Sequence, residues 1–415
     1  MKTYSYTTKK ISQFLKKLFC HSLTLYILVG CVGADHSSQN IPYLDMEKVD
    51  TKKKIYLSEL ADRGELIELE TVPASYIKFI TDSYVTDDNI IICDNNIPKV
   101  SIYQRNGKFL KNIGSAGKGP GEFTGLIDFC FYEPEKLIYI QSSSQRKICV
   151  YNIDGKWIKD FNTDGLSKFP IIDAMEFIGD KLVVILRRPI VEVEDFYQVW
   201  FFDKDLNIID KKKHIPPSEK AGVDMQESIE HARYNNGLIY YDFYGDTLFY
   251  IDKEMDIKPI LKLKYNRMPN DLAQKEGVFE KNSDYSRIRG FGCIPPYVHF
   301  ALVQSIGKVK YIDYNLTENE ATLTADDPCQ TFLSGKGIIN DITGISAFYG
   351  GEYYPSGFMA RNVSRWVIST YVEKKCIEEK SREYPEIMNR FKAVFSDKKE
   401  DGNEVIELIY LKSGH

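Results

Sequence analysis

Histidine and cysteine, the side chains that most readily bind zinc or transfer protons, are scattered through this sequence without a local motif. Apart from those near the two ends of the chain, the histidines are His214, His231 and His299, which share no ligand spacing. The eight cysteines include no Cys-x-x-Cys pair. Zinc and dithiol motifs depend on such short spacings, so neither kind of site is predicted.

Carboxylates could still converge from distant segments, because acids at the ends of strands leave no local pattern. Four aspartates border apolar runs, namely Asp94, Asp128, Asp173 and Asp341. They could hold a divalent cation such as calcium, although aspartates in such places more often accept hydrogen bonds from a neighbouring turn. No Ser-His-Asp order or nucleophile elbow is visible. The sequence therefore identifies no catalytic residue, and we expect no cofactor other than such a cation if the protein is an enzyme.

The glycine-rich residues 114–121 could in principle surround a phosphate. A phosphate loop needs Gly-x-x-x-x-Gly-Lys-Ser/Thr at the start of a helix, where backbone N–H groups converge on the anion. Here Lys118 is followed by Gly119 and Pro120, and proline restricts the backbone to a sharp connection. The segment is predicted to be a turn between two structural units.

The first thirty residues predict export. They contain five lysines and no acid, and their apolar stretch, residues 18–29, is too short for a lasting membrane span. The stretch ends in Leu28-Val29-Gly30-Cys31, which is similar to the lipobox of bacterial lipoproteins. That resemblance implies that residues 1–30 are a signal peptide and that Cys31 becomes an N-terminus acylated with fatty acids such as palmitate. An ordinary secretory cleavage site beside an unmodified Cys31 is the alternative.

Charge and composition restrict the partners and the fold class. The whole chain has 54 basic and 59 acidic side chains, and removal of the five leader lysines leaves a net charge of −10. Without a dense basic patch, nucleic acid is excluded as a partner. The 28 tyrosines and 23 phenylalanines favour pleated, half-buried strands. Residues 31–52 are polar enough for a flexible tether, and the folded domain is predicted to span residues 53–412.

A unit of nearly fifty residues repeats along that domain. In each of the first two copies, two strands are followed by an Asn-Gly or Asp-Gly turn and a third strand, and the turn glycines, Gly107 and Gly155, are 48 positions apart. Four weaker copies follow. Such spacing predicts an all-β, six-bladed β-propeller. Residues 65–71 are expected to pair beside residues 404–411 and close the ring, and residues 385–395 are expected to form one short helix.

Three motifs resemble those of a known group. The segment Gly117-Lys118-Gly119-Pro120-Gly121-Glu122-Phe123 is similar to a linker of NHL-type propellers, and Leu69-Glu70-Thr71 and Asn340-Asp341 occur at matching places. With these motifs, residues 55–412 resemble the six-bladed β-propeller lipoproteins of Bacteroides and its relatives. The resemblance implies a cell-envelope protein that acylated Cys31 holds on a membrane. We expect this membrane to be the outer membrane.

Two functions are compatible with such a ring. We expect a binding or scaffold module that uses a flat end of the ring to hold a protein, a peptide or a glycan. The alternative is a hydrolase or lyase of the lactonase-like propeller type, with a divalent cation at the mouth of the channel. Tyr240-Tyr241 with Phe243-Tyr244, and Tyr353-Tyr354-Pro355, could form aromatic binding platforms, but packing between blades is the favoured interpretation.

Overall fold

In the computed structural model, short antiparallel sheets follow one another along the chain. The structure describes residues 41–412, except for residues 126, 169, 188–194, 214–228, 243–244, 267–284, 306–307, 325–336, 345–350, 355, 366–367 and 369–401. The helix predicted at residues 385–395 therefore lies outside the described residues. Within the described part, no helix is long and apolar enough to cross a membrane.

Six sheets form the six blades of a β-propeller, as the repeat predicts. Blades 1 to 3 each contain four consecutive strands. Blade 1 contains β4 (Ile80–Val85), β5 (Asn89–Asp94), β6 (Lys99–Gln104) and β7 (Phe109–Ile113), and blade 2 contains β10 (Ile127–Tyr132), β11 (Leu137–Ser142), β12 (Lys147–Asn152) and β13 (Trp157–Asn162). Blade 3 contains β14 (Ile172–Ile178), β15 (Lys181–Leu186), β16 (Val199–Phe202) and β17 (Ile208–Lys212). The two-residue strands β8 (Ser115–Ala116) and β9 (Glu122–Phe123) pair with each other between blades 1 and 2.

Blades 4 to 6 each include a strand from the N-terminal part of the chain. From its inner to its outer edge, blade 4 contains β18 (Glu230–Tyr234), β19 (Gly237–Tyr241), β20 (Thr247–Ile251), β21 (Ile257–Lys264) and β1 (Tyr43–Asp45). Blade 5 contains β22 (Arg287–Ile294), β23 (Tyr297–Ser305), β24 (Lys308–Asn315), β25 (Glu320–Thr324) and β2 (Lys52–Lys53). Blade 6 contains β26 (Glu352–Tyr354), β27 (Phe358–Val363), β28 (Val405–Leu411) and β3 (Ala61–Glu68). One four-residue helix, α1 (Leu57–Leu60), precedes β3.

The hydrophobic core lies between neighbouring blades. The run Ile90-Ile91-Ile92 in β5 is fully buried, because a strand covered on both faces has no polar side. One cluster of buried side chains joins blades 6, 1 and 2, and further clusters join blades 2 and 3, 3 and 4, 4 and 5, and 5 and 6. Each small sheet thus gains its partner surface from its neighbours.

Strand β3, the third strand of the chain, pairs with the C-terminal strand β28, as the sequence predicts for residues 65–68. Strand β3 is antiparallel to β28, with Glu68 opposite Val405 and Glu65 opposite Leu408. The observed strand begins at Ala61 and ends at Glu68, so the predicted segment 65–71 continues beyond it towards blade 1. The turn glycines Gly107 and Gly155 have φ angles of +86° and +84°, a left-handed conformation that glycine adopts without steric cost, and their N–H groups close the turns on the carbonyls of Gln104 and Asn152.

The boundary predicted for the flexible tether is wrong at its C-terminal end. Residues 42–60 form a strap along the outer edges of blades 4 and 5, where β1 is parallel to β21 and β2 is parallel to β25. Leu44, Met46 and Val49 of the strap are buried. Strands of three and two residues are too short to show alternation in the sequence, which is why this segment resembles a tether.

Candidate functional site

An ion pair lies where the inner strands approach the axis of the ring. Arg233 of β18 donates through Nε to Glu176 Oε2 of β14 over 2.9 Å, and its Nη2 contacts the same oxygen. The two side chains are only 12% and 6% exposed. A carboxylate this deeply buried needs a paired cation, so Arg233 neutralises Glu176 inside the ring.

Aromatic rings from other blades surround this axial ion pair. The Arg233 guanidinium lies 4.8 Å from the ring centre of Tyr84 and 5.5 Å from that of Tyr354. Tyr84 also packs edge-on against Phe131 and against Tyr354. Burial raises the pKa of Tyr84 to about 12, although the positive charge of Arg233 opposes this shift. The axial ion pair and these rings therefore join residues from five of the six blades.

The four aspartates proposed as cation ligands have separate partners. Asp94 accepts hydrogen bonds from the backbone of Lys78 and Asn96, and Asp128 accepts one from its neighbour Phe129. Asp173 accepts hydrogen bonds from the Arg187 side chain and the Ile229 N–H, and Asp341 accepts them from the N–H and the hydroxyl of Ser58. Among the described residues, no three His, Cys, Asp or Glu side chains are grouped closely enough to hold a metal ion.

The histidines and paired tyrosines are mostly structural in the described part of the chain. His299 Nδ1 lies 2.5 Å from Asp313 Oδ1, and both side chains are buried in blade 5. His231 lies in β18, whereas His214 is outside the described residues. The prediction of blade packing is confirmed for the buried tyrosines Tyr240, Tyr241, Tyr353 and Tyr354. Phe243, Tyr244 and Pro355 lie outside the described residues.

The glycine-rich segment connects blades 1 and 2, which confirms its predicted role as an inter-blade turn. Glu122 Oε2 accepts a hydrogen bond from the Gly119 N–H over 2.7 Å. A Cβ atom added at Gly117 would lie 2.0 Å from the same oxygen. The carboxylate of Glu122 thus occupies the space inside the glycine loop that a phosphate would need.

A groove of about 500 Å³ opens where blade 6 meets blade 1. We call it the seam groove, and its lining residues are Glu65, Ile67, Asp87, Arg105, Asn106 and Tyr410. They come from strands β3 and β28 of blade 6 and from two turns of blade 1. The seam groove therefore forms only because β3, from the N-terminal part of the chain, pairs with β28, from its C-terminal part, beside blade 1.

A hydrogen-bonded triad forms the polar side of the seam groove. Arg105 Nη2 donates to Tyr410 Oη over 2.7 Å and lies 3.3 Å from Glu65 Oε2, while the Tyr410 hydroxyl donates to the same oxygen over 3.1 Å. Arg63 covers the Tyr410 ring at 3.7 Å. Burial raises the pKa of Tyr410, so its hydroxyl keeps its proton at neutral pH. Glu65 and Arg105 remain 36% and 23% exposed and can reach a ligand.

The Leu69-Glu70-Thr71 motif holds the two sides of the seam together. The Glu70 N–H donates to the Gly107 carbonyl over 2.9 Å, and the Glu70 carboxylate accepts from the Phe109 N–H over 2.8 Å. Buried Asn403 adds hydrogen bonds to the backbone of Glu70, Ser75 and Ile77. These bonds fix the spacing of the seam groove before any ligand arrives.

Sequence reasoning did not identify the seam groove. The Asn106-Gly107 turn is visible as part of the repeat, but nothing near it indicates which residues will face Arg105. Tyr410 is 305 residues away from Arg105 and 345 residues away from Glu65. The predicted pairing of residues 65–71 with residues 404–411 was the one signal that could have pointed to this place. Cys31 lies outside the described residues, so its acylation stays a prediction.

Comparison with known proteins places the chain in a family and supports its fold. A family model described as "Domain of unknown function (DUF4934)" matches residues 41–410, which include the strap. No curated protein matches the sequence. A solved structure of a Bacteroides fragilis protein (BF0058), described as exported, is similar with a TM-score of 0.64 and 13% identity, over 88% of this chain and 99% of that chain.

Two further solved structures are similar at lower scores. A member of the DUF4221 family from Bacteroides vulgatus has 10% identity and a TM-score of 0.48, over 85% of this chain and 97% of that chain. Virginiamycin B lyase from Staphylococcus aureus has 12% identity and a TM-score of 0.35, over 64% of this chain and 74% of that chain.

Proposed function

Because this chain belongs to the DUF4934 family, whose description names no activity, we propose its function from its own residues. It is a lipid-anchored binding module of the bacterial cell envelope, and it holds a segment of a peptide or a glycan in the seam groove. The observation that carries this proposal is the triad of Arg105, Tyr410 and Glu65, which is preorganised and partly exposed.

Two observations support the envelope location. The basic leader and apolar stretch end at Gly30-Cys31, as in bacterial lipoproteins. BF0058, which is similar in fold, is described as exported. Several acyl chains on Cys31 hold a protein firmly on a bilayer, because each buried methylene contributes about 0.8 kcal/mol.

The charges of the seam groove favour a ligand that is close to neutral. Glu65 and Asp87 supply two carboxylates, and Arg105 and the adjacent Arg63 supply two guanidinium groups. A ligand with a strong net charge of either sign would meet a like charge. Hydroxyl and amide groups can instead donate to the carboxylates and accept from Arg105 or from the Asn106 side chain. Sugars and peptide backbones carry both kinds of group.

The size of the seam groove favours a short segment over a large folded surface. Its volume of about 500 Å³ lies within the range of roughly 300–1,000 Å³ that is typical of small-ligand sites. Such a volume accommodates a few sugar units or amino-acid residues. The apolar side chain of Ile67 in the lining adds a surface for a sugar face or an aliphatic side chain.

The proposal is tested by screening the purified chain against a glycan array and a peptide library. Each hit is measured again with Arg105→Gln and with Arg146→Gln. Arg146 also forms an exposed ion pair, with Asp164 at 3.2 Å, but lies in blade 2. Loss of a charge-assisted hydrogen bond should weaken binding about tenfold or more in Arg105→Gln and leave Arg146→Gln unchanged. Hits that bind all three proteins equally would place the binding surface elsewhere.

A further inference from the structure

The outer edges of blades 4 and 5 are each covered by an added parallel strand. Strand β1 extends blade 4 beyond β21, and β2 extends blade 5 beyond β25. The outer strand of a propeller blade otherwise presents a row of backbone groups that can pair with another chain. The strap therefore shows that the outer edge of a blade in this protein accepts an extended segment.

The contacts of β1 show what such an edge recognises. Tyr43, Leu44 and Asp45 lie opposite Lys262, Leu263 and Lys264. Leu44 is buried in the cluster shared by blades 4 and 5, and Asp45 forms an ion pair with Lys264 at 3.2 Å. The added strand thus contributes backbone pairing, one apolar side chain and one acid opposite a lysine.

Strand β17 also presents apolar and basic side chains, at the outer edge of blade 3. Among the described residues, no strand pairs with the outer side of β17. Its first two side chains, Ile208 and Ile209, are 54% and 44% exposed, and Lys211 and Lys212 follow them. The sequence Ile-Ile-Asp-Lys-Lys of β17 shares two features with the Ile-Leu-Lys-Leu-Lys end of β21, namely two apolar residues at its start and a lysine at its end.

The outer strands of blades 1 and 2 differ because segments of the chain already contact them. In β7, the Phe109 N–H donates to Glu70, and the Asn112 side chain donates to the Ala74 carbonyl. In β13, Asp160 accepts from the Gly121 N–H of the inter-blade linker. In the described part of the chain, β17 is thus the outer strand that combines exposed isoleucines with lysines and lacks an added strand.

We propose that the outer edge of β17 binds an extended segment of a partner protein as a fifth, parallel strand. The segment carries an apolar residue followed by an acid, as in Tyr43-Leu44-Asp45. Its acid pairs with Lys212, whose present ion pair with Asp210 at 2.6 Å is solvent-exposed. Exposed pairs of this kind contribute little to stability, so Lys212 can exchange one acid for another at small cost. Backbone pairing then supplies affinity, and the side chains supply specificity.

The experiment uses the purified full-length chain and a synthetic peptide of residues 41–50, Ile-Pro-Tyr-Leu-Asp-Met-Glu-Lys-Val-Asp. Hydrogen exchange should slow in Ile208–Lys212 when the peptide is added. Lys212→Glu should weaken binding of this peptide about threefold to tenfold. A peptide that carries the change Asp45→Lys should bind the Lys212→Glu protein with the original affinity. Lys253→Glu, an exposed change in a turn of blade 4, is the matched control and should bind as the unmodified chain does.

Three results would overturn the proposal. The first is unchanged exchange in β17 at millimolar peptide. The second is slowed exchange in β21 instead, which would mean that the peptide replaces β1. The third is a concentration-dependent dimer of the chain alone that slows exchange in β17, since a second copy would then be the occupant of this edge.

Discussion

The Tyr410 hydroxyl accepts a hydrogen bond from Arg105 Nη2 over 2.7 Å, across the boundary between blade 6 and blade 1. The same hydroxyl donates to Glu65, so it joins three side chains from three segments. Because the Tyr410 pKa is raised by burial, this arrangement persists through neutral pH. The triad therefore links closure of the ring to the formation of a polar groove.

Replacing Tyr410 with phenylalanine should separate the role of this hydroxyl in binding from its role in stability. We expect Tyr410→Phe to lower the unfolding free energy by about 1 kcal/mol and to weaken binding in the seam groove about fivefold. Tyr314→Phe removes a single hydrogen bond, to Asn319 over 3.1 Å in blade 5. Calorimetry should show a stability loss for both variants, but titration should show weaker binding only for Tyr410→Phe. Equal affinities would remove Tyr410 from the binding site.

The axial ion pair should stabilise the ring only as a pair. Arg233→Met leaves Glu176 buried without its main cation, which should cost about 3–5 kcal/mol in urea unfolding. The double variant Arg233→Met with Glu176→Leu should recover most of that loss, because an apolar pair leaves no buried charge to be neutralised. Arg146→Met removes an exposed ion pair and should cost less than about 1 kcal/mol. A double variant no more stable than Arg233→Met would contradict this account.

Gly107 should be required for close contact between blades as well as for its turn. A Cβ atom there would lie 1.9 Å from the Glu68 carbonyl oxygen, whereas one at Gly179 would have no neighbour within 4 Å. Both glycines have positive φ, +86° and +62°. Gly179→Ala should therefore lower the free energy of unfolding only by the backbone strain, about 1–2 kcal/mol. Gly107→Ala should lower it clearly more, because the added Cβ also meets the Glu68 carbonyl. Thermal unfolding of the two variants gives the comparison, and equal losses would exclude a steric role for Gly107.

Calcium should leave the stability of the folded chain unchanged. The four aspartates proposed as ligands are bonded to different parts of the protein, and Asp173 already pairs with Arg187 at 2.7 Å. The midpoint of thermal unfolding should be the same in EDTA and in millimolar calcium. A calcium-dependent increase that disappears in Asp128→Asn would instead favour the cation-dependent enzyme.

Cys31 should carry the membrane anchor. In cells that process lipoproteins, Cys31→Ala should abolish acylation and shift the protein from the membrane fraction to the soluble fraction, because the acyl chains supply the binding energy. Cys20→Ala, which lies within the leader, should change neither the acylation nor the fraction. Mass spectrometry of the mature N-terminus measures both effects. Membrane association of the Cys31→Ala protein would show that the anchor lies elsewhere.

The blades were predictable because most of each blade is local in the sequence. The strands of blade 1 lie within residues 80–113, and the Asn106-Gly107 turn marks where the chain must reverse. Alternation and turn chemistry act over a few residues, so one sequence records them. Pairing of β3 with β28 could be inferred because a ring needs a partner for both of its end strands.

The strap was missed because its strands are stabilised by their surroundings more than by their own composition. Leu44 is buried only because the edge of blade 4 lies beside it. A three-residue strand has little intrinsic preference, and tertiary contacts determine its conformation.

Short-range patterns were enough to predict the β-propeller class, the inter-blade role of the glycine-rich segment and a lipid anchor at Cys31. The folded ring was needed to show that Glu65, Arg105 and Tyr410 meet, that Arg233 neutralises Glu176 at the axis, and that β17 has an outer side without a paired strand among the described residues. These contacts join residues far apart in the sequence, and their geometry depends on how six sheets pack around one axis.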